Sequence, residues 1–471
     1  MSILQIVILA AAAILLGQFR KYRAFALMTF SAFVLHWLQP VQSPVTLTFW
    51  LPTFTLLLII FLWFFVIREE ETNWRQTLPA LLILSAVMFL FGANRFFRLE
   101  EIFITETPRI QVVGIAAAVM LSPILLSIPW KTTHPGLYTA AALTILALLV
   151  LTKLPWLQNQ VFDVISSARG KEPMDEWISI SWLGFSYIAF RLLHTVLDKR
   201  AGRLPSVSLT DYINYVIFFP SIVAGPIDRV ERFRRDLNEP VALDSDAWLH
   251  GGARFFGGLF KKFVLADGLK WIALNEYFVR DMQSSGSLWL LLFAYSLRIY
   301  FDFSGYTDMA IGLGRFLGVR LPENFASPYL KPNLTMFWNS WHMTLTQWFR
   351  SYLFNPLTRA LRMNPSIPAY VVILITQVTT MITIGLWHGI TPNYVLWGLW
   401  HGIGLFVQNR WSEFFRRRAA PDRLTPPTQR GLDFIHTFLT FSYVSLGWLF
   451  FIFPTPELVL QVFIRLMGFS L

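Results

Sequence analysis

Residues 368–408 read PAYVVILITQVTTMITIGLWHGITPNYVLWGLWHGIGLFVQ, and this stretch decides the class of fold. It contains no Asp, Glu, Lys or Arg, and its apolar residues form two runs, 368–387 and 393–408, on either side of a turn rich in glycine and proline. An uninterrupted apolar segment of about 20 residues is long enough to cross the hydrocarbon core of a membrane as a helix. The stretch therefore predicts two membrane helices joined by a short turn.

Comparable runs occur along the whole chain, and the composition agrees with them. Of the 471 residues, 55% are hydrophobic and 14% are charged, whereas roughly a quarter of the residues in a soluble protein are charged. The other runs cover residues 3–17, 24–39, 46–67, 78–93, 110–128, 137–152, 177–196, 207–224, 251–275, 287–314 and 432–453, with weaker candidates at 337–356 and 456–469. The pattern predicts an all-α, polytopic transmembrane protein with about 11–13 spanning helices and additional re-entrant segments.

The basic residues that produce a net charge of +11 lie mostly in short loops between the apolar runs. The positive-inside rule explains this distribution without a nucleic-acid partner. It places in the cytoplasm the loops that follow the first, third and seventh runs, which hold Arg20, Lys21, Arg23, Arg68, Arg75, Lys199, Arg200 and Arg203. The N-terminus is then extracytoplasmic, and the first run, Ile3 to Leu16, is expected to be a retained helix. The chain has no cysteine, which excludes thiol nucleophiles and disulfides.

Two apolar runs are irregular. Residues 207–224 have basic clusters at both ends and contain Pro220 and a Gly225-Pro226 break just beyond, so the segment is expected to enter the membrane and return to the same side; the alternative is an ordinary spanning helix. Within 251–275, Lys261 and Lys262 interrupt the apolar sequence. These lysines face a partner or a cavity, or they mark a helix end at the interface.

Among the eight histidines, His388 has the most distinctive context, Gly385-Leu386-Trp387-His388-Gly389. The run that follows it has 16 residues and would measure roughly 24 Å, which is shorter than a hydrocarbon core of about 30 Å. The turn is therefore expected to lie below the outer surface, where a histidine reached from one side is suited to act as a general base. The flanking Gly385 and Gly389 are expected to allow close approach of another backbone.

Two further groups of polar residues occur within apolar sequence. In 337–356, the residues Trp338, Trp341, Leu345, Trp348 and Tyr352 form one helical face, and Asn339, His342 and Thr346 form a polar stripe. That stripe lines a tunnel, or the helix lies at the interface with His342 bonded to backbone. The second group is Tyr300, Asp302, Ser304, Tyr306 and Asp308; its carboxylates could orient a histidine or bind a cation, but a structural network is favoured.

Seven stretches resemble, in order, the membrane-bound O-acyltransferase (MBOAT) family. The resemblance is to the bacterial branch that contains the alginate O-acetylation protein and the D-alanyl transfer protein of teichoic acid modification. The stretches are Ser179 to Tyr187, Phe219 to Ile227, Gly258 to Asp267, Tyr300 to Gly314, Glu323 to Phe325, Phe337 to Trp348 and Leu386 to Gly389. They divide the chain into N-terminal helices at 1–170, a catalytic core at 177–410 and C-terminal helices at 411–471.

The resemblance implies roles for individual residues. It implies that His388 is the catalytic histidine and activates an acceptor hydroxyl, while His342 helps to form a central tunnel and to position the donor. The candidate tunnel residues are Asn339, Trp338, Trp341, Thr346, Asp302, Ser304, Tyr306 and Asp308. No metal and no bound cofactor are expected.

The implied reaction moves an acyl group, most simply acetyl, from a cytoplasmic thioester to an exported or cell-surface polysaccharide. The donor is acetyl-CoA or an acyl carrier thioester, and an extracytoplasmic esterase-like partner completes the transfer. The implied location is the bacterial inner membrane.

Three departures from the family pattern leave alternatives open. The region before Ser179 is longer than in that branch, Asn339-Ser340 stands where alginate-type proteins carry two arginines, and Ser351 replaces an Asp. These changes keep both histidines but put the substrate and the partner in doubt. Transfer of D-alanine is a close alternative, and a transporter or a scaffold without acyl chemistry belongs to a different class.

Overall fold

The chain is α-helical, and its described residues contain no β-strand. The computed structural model describes residues 2–19, 22–40, 47–68, 74–97, 109–125, 135–168, 180–239, 245–282, 284–418 and 426–469. Several residues used above, among them Arg20, Lys21 and Ser179, lie outside these ranges. The described residues divide into two compact units, Met1–Phe255 with Met309–Leu321, and Phe256–Asp308 with Pro322–Leu471.

Eleven α-helices begin in the first unit. They are α1 (Ile3–Gly17), α2 (Arg23–Trp37), α3 (Leu47–Leu62), α4 (Trp74–Phe97), α5 (Ile110–Leu125), α6 (Pro135–Leu151), α7 (Pro155–Ala168), α8 (Phe185–Arg200), α9 (Leu209–Val216), α10 (Val230–Asn238) and α11 (Ser245–Leu259). A π-helix at Trp63–Ile67 extends α3, and a 3-10 turn occupies Phe219–Ser221.

The second unit contains the helices that carry the candidate site. They are α12 (Asp267–Leu269), α13 (Glu276–Asp281), α14 (Ser285–Phe316, which ends in the first unit), α15 (Leu334–Trp338), α16 (Met343–Phe349), α17 (Asn355–Arg362), α18 (Ala369–His388), α19 (Pro392–Arg418), α20 (Pro426–Ile452) and α21 (Pro456–Leu466). Two π-helices, Phe260–Ala266 and Arg350–Phe354, and a 3-10 turn at Pro328–Leu330 complete the unit.

Several helices are long and apolar enough to cross a membrane, which makes the chain a multi-pass membrane protein. In the described ranges four helices meet this criterion by length and composition: Leu47–Ile67, Trp74–Gly92, Ala369–His388 and Arg430–Ile452. A fifth span results if Pro135–Leu151 and Pro155–Val161, which meet at an angle of 103°, are counted together. This number is lower than the predicted 11–13, partly because helices such as α1 are short and α14 carries charges at Arg298, Asp302 and Asp308.

The predicted break in 207–224 is confirmed. Helix α9 has eight residues, about 12 Å, and is too short to span a bilayer alone. It is buried along its whole length against α2, α3, α4, α8 and α10. The backbone that follows is held by Arg191, which is 1% exposed and donates to the carbonyls of Val216 (2.9 Å) and Ser221 (3.0 Å). Irregular backbone at this position is therefore satisfied by protein, as a membrane environment requires.

A cavity of about 1000 Å³ in the first unit brings several basic loops together. Arg68, Arg203, Arg234 and Arg235 all contribute to its lining. Arg203 precedes the broken segment and Arg234 follows it, so the chain reaches this cavity on both sides of the break. This arrangement favours the re-entrant interpretation of 207–224 over a spanning helix, and it places the loop after the third run on the same side.

The prediction of one helix over 337–356 is wrong. Helix α15 ends at Trp338, a turn follows, and α16 begins only at Met343. His342 lies in that turn with φ +42°, a left-handed backbone that an α-helix cannot contain. The backbone N–H of Met343 donates to the carbonyl of Asn324 (2.9 Å), so a segment distant in sequence fixes the break.

Helices α18 and α19 form the predicted hairpin around His388. However, α19 continues through the polar residues after 408 and ends at Arg418, so it has 27 residues instead of 16. A helix of that length measures about 40 Å and could cross the membrane completely. The length argument therefore does not determine the depth of His388, and the recessed position of this histidine stays a prediction.

Candidate active site

His388 is the last residue of α18, and the chain changes direction immediately after it. Gly389 is extended, and its N–H donates to the carbonyl of Gly385 (3.2 Å). The imidazole is half-buried. It lies among four aromatic rings, with centroid distances of 4.5 Å to Trp387, 5.0 Å to Phe451, 5.7 Å to Trp397 and 6.0 Å to Tyr394. The turn and the rings together fix the direction of the His388 side chain.

Two glycines allow the start of α19 to pack directly against the end of α18. A Cβ atom on Gly385 would lie 2.1 Å from the carbonyl oxygen of Tyr394, and one on Gly389 would lie 2.5 Å from the Tyr394 ring. Real Cβ atoms do not come this close, so the Tyr394 backbone excludes a side chain at Gly385, while a side chain at Gly389 would require the Tyr394 ring to move. The predicted close approach of backbone is confirmed at Gly385, whereas at Gly389 the group that comes close is the side-chain ring of Tyr394.

His342 is 3% exposed and lies in the turn before α16. Its Nδ1 is 3.1 Å from Oδ1 of Asn324, a side chain that is fully buried. The imidazole also meets the ring of Phe303 edge to face at 4.8 Å. His342 is therefore held by a side-chain amide, and it is not part of the helical stripe that the sequence predicted.

The two predicted histidines contact the same indole ring. The ring of Trp387 lies 6.2 Å from that of His342 and 4.5 Å from that of His388. The structure thus brings together the two residues that resemblance singled out.

A cavity of about 330 Å³ lies in the same unit, and three predicted tunnel residues line it: Trp338, Asn339 and Thr346. The other lining residues are Thr335, Phe349, Arg350, Phe354, Gln377, Thr380, Met381, Ile384 and Leu405. Ile384 lies one helical turn before His388 on α18. Arg350 donates to Oδ1 of Asn339 (2.5 Å), which places a guanidinium at an otherwise largely apolar cavity.

Two lining residues carry buried polar atoms that lack a hydrogen-bond partner within the described ranges. These atoms are the indole N–H of Trp338, a donor, and Oε1 of Gln377, an acceptor. Trp338 is only 7% exposed. Buried polar groups are normally satisfied, so this donor and this acceptor are expected to meet a ligand or water in the cavity.

The remaining predicted tunnel residues have other surroundings. Asp308 pairs with Lys261 (2.6 Å) and Asp302 pairs with Lys262 (2.5 Å), which joins α14 to the π-helix at Phe260–Ala266. These ion pairs fit the structural role that the sequence favoured, and they show that Lys261 and Lys262 face partners.

The other three predicted tunnel residues are Ser304, Tyr306 and Trp341. Ser304 is buried and Tyr306 is half-buried. Trp341 packs within an aromatic cluster with Phe325 (5.2 Å), Trp448 (5.3 Å) and Tyr329 (5.6 Å).

Sequence reasoning missed residues that the fold brings to the site from a distance. Asn324 and Phe451 are the main examples, since neither has a local pattern that marks it. His401 lies in a second Trp-His-Gly triplet, Trp400-His401-Gly402. It is fully buried between Trp338 (5.1 Å) and Trp397 (4.9 Å), and its ring nitrogens have no hydrogen-bond partner in the described part of the chain.

One group in the first unit has metal-ligand residue types. His194, Asp198 and Glu231 place ligand atoms within 4.8 Å of one another. However, Asp198 already pairs with Arg203 (2.5 Å) and Arg229 (3.6 Å). Two guanidinium groups beside the carboxylate oppose a further cation, so the group is best described as an ion-pair network.

The fold and these side chains define an all-α multi-pass membrane protein with a paired-histidine candidate active site. A family model for the membrane-bound O-acyltransferases (MBOAT) matches residues 124–448. The chain therefore belongs to the membrane-bound O-acyltransferase family.

Named relatives fall into three groups. The chain is 34% identical to a probable alginate O-acetylase of Pseudomonas syringae over 286 residues, which are 60% of this chain and 51% of the relative. It is 29% identical to a teichoic acid D-alanyltransferase of Bacillus subtilis over 63% of this chain and 75% of the relative. It is 34% identical to a peptidoglycan O-acetyltransferase of Helicobacter pylori over 55% and 47%. The chain spans about half the length of the alginate O-acetylases that it matches.

Proposed function

We propose that this protein is a membrane O-acyltransferase that passes an acetyl group from a cytoplasmic thioester across the membrane for the modification of hydroxyl groups on an exported or cell-surface polysaccharide. The observation that carries the proposal is the placement of His342 and His388 on one indole, in a chain of this family. Relatives named as O-acetylases of alginate and peptidoglycan support acetyl as the acyl group and a polysaccharide as the acceptor.

In the proposed mechanism His388 is the general base. Its neutral imidazole takes the proton of the acceptor hydroxyl while the oxygen attacks the thioester carbonyl, and the resulting imidazolium returns the proton to the departing thiolate. One carbon–oxygen bond forms and one carbon–sulfur bond breaks. The half-buried ring of His388 suits this role, because substrate can reach it while the surrounding aromatic rings keep the imidazole oriented.

The cavity beside Asn339 and Thr346 is the proposed donor site. Its apolar walls suit a narrow organic chain, and the unpaired N–H of Trp338 and Oε1 of Gln377 match the C=O and N–H of an amide group. The arm that carries the thioester in both acetyl-CoA and acyl carrier proteins contains such amides. The guanidinium of Arg350 is placed to attract the phosphate of that arm.

The proposed location is the bacterial inner membrane, with the N-terminus outside. Support comes from the cavity of the first unit, whose lining includes Arg68, Arg203, Arg234 and Arg235. Basic loops collected on one side are typical of the cytoplasmic face. An extracytoplasmic esterase-like partner, which completes transfer to the polymer, belongs to the same proposal.

The test replaces each histidine in cells and measures ester-linked acetate on the surface polysaccharide. His388→Ala is expected to abolish acetylation, and His342→Ala to reduce it strongly, at unchanged protein levels. His436→Ala is the matched control, because His436 is exposed on α20 in the same unit. Acetylation that persists when both His388 and His342 are replaced contradicts the enzyme; a transporter would instead lose flux on substitution of Asp302 or Asp308.

Transfer of D-alanine is a second candidate, and one observation favours it. The four aromatic rings around His388 could bind the ammonium group of a D-alanyl ester through cation–π contacts. Protein in proteoliposomes, given acetyl-CoA in one sample and a D-alanyl carrier thioester in another, distinguishes the two by which thiol is released. Release from the D-alanyl thioester alone replaces acetyl as the proposed group.

A further inference from the structure

We propose that Asn324 is a positioning residue that holds His342 in the tautomer with its proton on Nδ1, so that Nε2 presents a lone pair. The tautomer follows from the geometry alone. The use of Nε2 in acyl transfer rests on the proposed function. In this tautomer His342 is more than part of a tunnel wall, because its ring carries a defined hydrogen-bond acceptor.

The hydrogen bonds of Asn324 define the orientation of its side-chain amide. Its Oδ1 position receives the backbone N–H of Thr344 (3.2 Å) and the hydroxyl of Thr344 (2.9 Å). A backbone N–H can only donate, so the amide atom at this position must be the oxygen and cannot be the NH₂ group. The usual ambiguity between the two ends of an asparagine side chain is therefore resolved here.

The orientation of that amide determines which nitrogen of the His342 imidazole carries the proton. Nδ1 of His342 lies 3.1 Å from the same Asn324 oxygen. Because that oxygen carries no hydrogen, Nδ1 must carry the proton that joins the two atoms. In a neutral imidazole the other nitrogen, Nε2, is then unprotonated and accepts hydrogen bonds. Asn324 is 0% exposed and His342 is 3% exposed, so bulk water does not compete for this contact.

Asn324 also stabilises the backbone around His342. His342 adopts a left-handed conformation, which costs energy for a residue with a side chain. Asn324 binds both residues that follow His342. Its backbone carbonyl accepts from the N–H of Met343 (2.9 Å), and its side-chain oxygen accepts from the N–H of Thr344. The same asparagine thus fixes both the strained backbone and the ring that extends from it. His388 is a titratable group close to His342, since both rings contact the indole of Trp387.

The tautomer can be observed directly. Purified protein with ¹⁵N-labelled histidine side chains gives distinct imidazole nitrogen signals for the two tautomers, and a His342→Gln sample identifies those of His342. The wild-type protein is expected to show His342 protonated at Nδ1. In Asn324→Leu this signal is expected to become a mixture of tautomers. Asn214→Leu, at an asparagine that is equally buried in the first unit, is expected to leave it unchanged.

A wild-type spectrum with the proton on Nε2 of His342 overturns the proposal, and it requires no variant to fold. An unchanged His342 signal in Asn324→Leu overturns it as well. Neither result depends on enzymatic activity, so the proposal can fail while the acyltransferase function stands.

Enzymatic activity is measured as the release of thiol from acetyl-CoA by protein in proteoliposomes. Asn324→Leu is expected to lower kcat by about 100-fold with a smaller change in KM, which is the size of effect that a misplacement of about 1 Å at a reacting site can have. Asn324→Asp keeps the acceptor oxygen and should recover much of kcat. Its negative charge favours the protonated imidazole, so the acidic limb of the pH–rate profile should move to higher pH. A wild-type kcat and pH profile in Asn324→Leu contradict the positioning role, whereas a fully active His388→Ala contradicts the proposed function.

Discussion

Replacing Gly385 by alanine tests whether the packing of α18 against α19 sets the position of His388. The new Cβ would lie 2.1 Å from the Tyr394 carbonyl oxygen, more than 1 Å closer than an ordinary van der Waals contact. The obstacle is backbone, which cannot rotate away as a side chain can. The two helices must therefore separate by about 1 Å at a point three residues before His388.

The size of the effect follows from that displacement. A misplacement of about 1 Å at a reacting group can cost on the order of 100-fold in rate. Overpacking of a core typically costs about 1–3 kcal/mol, and the gain in helix propensity from glycine to alanine returns about 1 kcal/mol of this. Gly385→Ala is thus expected to fold with slightly reduced stability but to lose about 100-fold in kcat.

The assay is thiol release from acetyl-CoA in proteoliposomes, together with thermal unfolding followed by tryptophan fluorescence. Gly257→Ala is the matched control, because Gly257 is also a helical glycine but an added Cβ there meets no atom within 4 Å. The control should keep full activity and gain slight stability. Wild-type kcat in Gly385→Ala would show that the position of His388 does not depend on this helix contact.

Three further predictions concern individual interactions and are tested by thermal unfolding in detergent. Asp308→Asn should lower stability by roughly 2 kcal/mol and Asp302→Asn by less than about 1 kcal/mol, since their carboxylates are 11% and 52% exposed; equal losses would refute this ranking. Arg191→Leu leaves buried carbonyls without donors, and each such carbonyl costs roughly 1–3 kcal/mol, so folded protein should not accumulate. Rescue by Arg191→Lys would contradict the need for the forked donor of a guanidinium. Burial raises the pKa of Asp228 to about 6, so its contribution to stability is full below pH 3.8 and is lost as pH rises through 6. Asp228→Asn should reduce the change in the free energy of unfolding between pH 3.8 and about 6. An unchanged pH dependence would show that Asp228 does not cause it.

Local sequence signals predicted the features that depend on neighbouring residues. The apolar runs indicated an all-α membrane protein, and Pro220 with Gly225-Pro226 indicated the break after α9. The glycines around His388 indicated close helix packing, since the lack of a side chain is itself a local property. These predictions agree with the structure because each physical cause lies within a few residues of its effect.

The incorrect prediction, a continuous helix over 337–356, has a cause that is distant in sequence. Aromatic residues at steps of three and four do favour a helix there, and helices form on both sides of the break. The break itself is fixed by Asn324, 18 residues before His342, and no periodicity within the segment contains that information. The same limit applies to Phe451, which reaches the His388 ring from α20.

The π-helix at Arg350–Phe354 has a consequence for how this region tolerates change in length. Such a segment accommodates one more residue than the same turns of α-helix, and each residue in an α-helix corresponds to a rotation of about 100°. Arg350 and Phe354 both face the small cavity in this wider register, and α17 continues directly from it. Deleting a single residue here would restore ordinary helical winding and turn either the cavity wall or the whole of α17 by more than a quarter of a revolution.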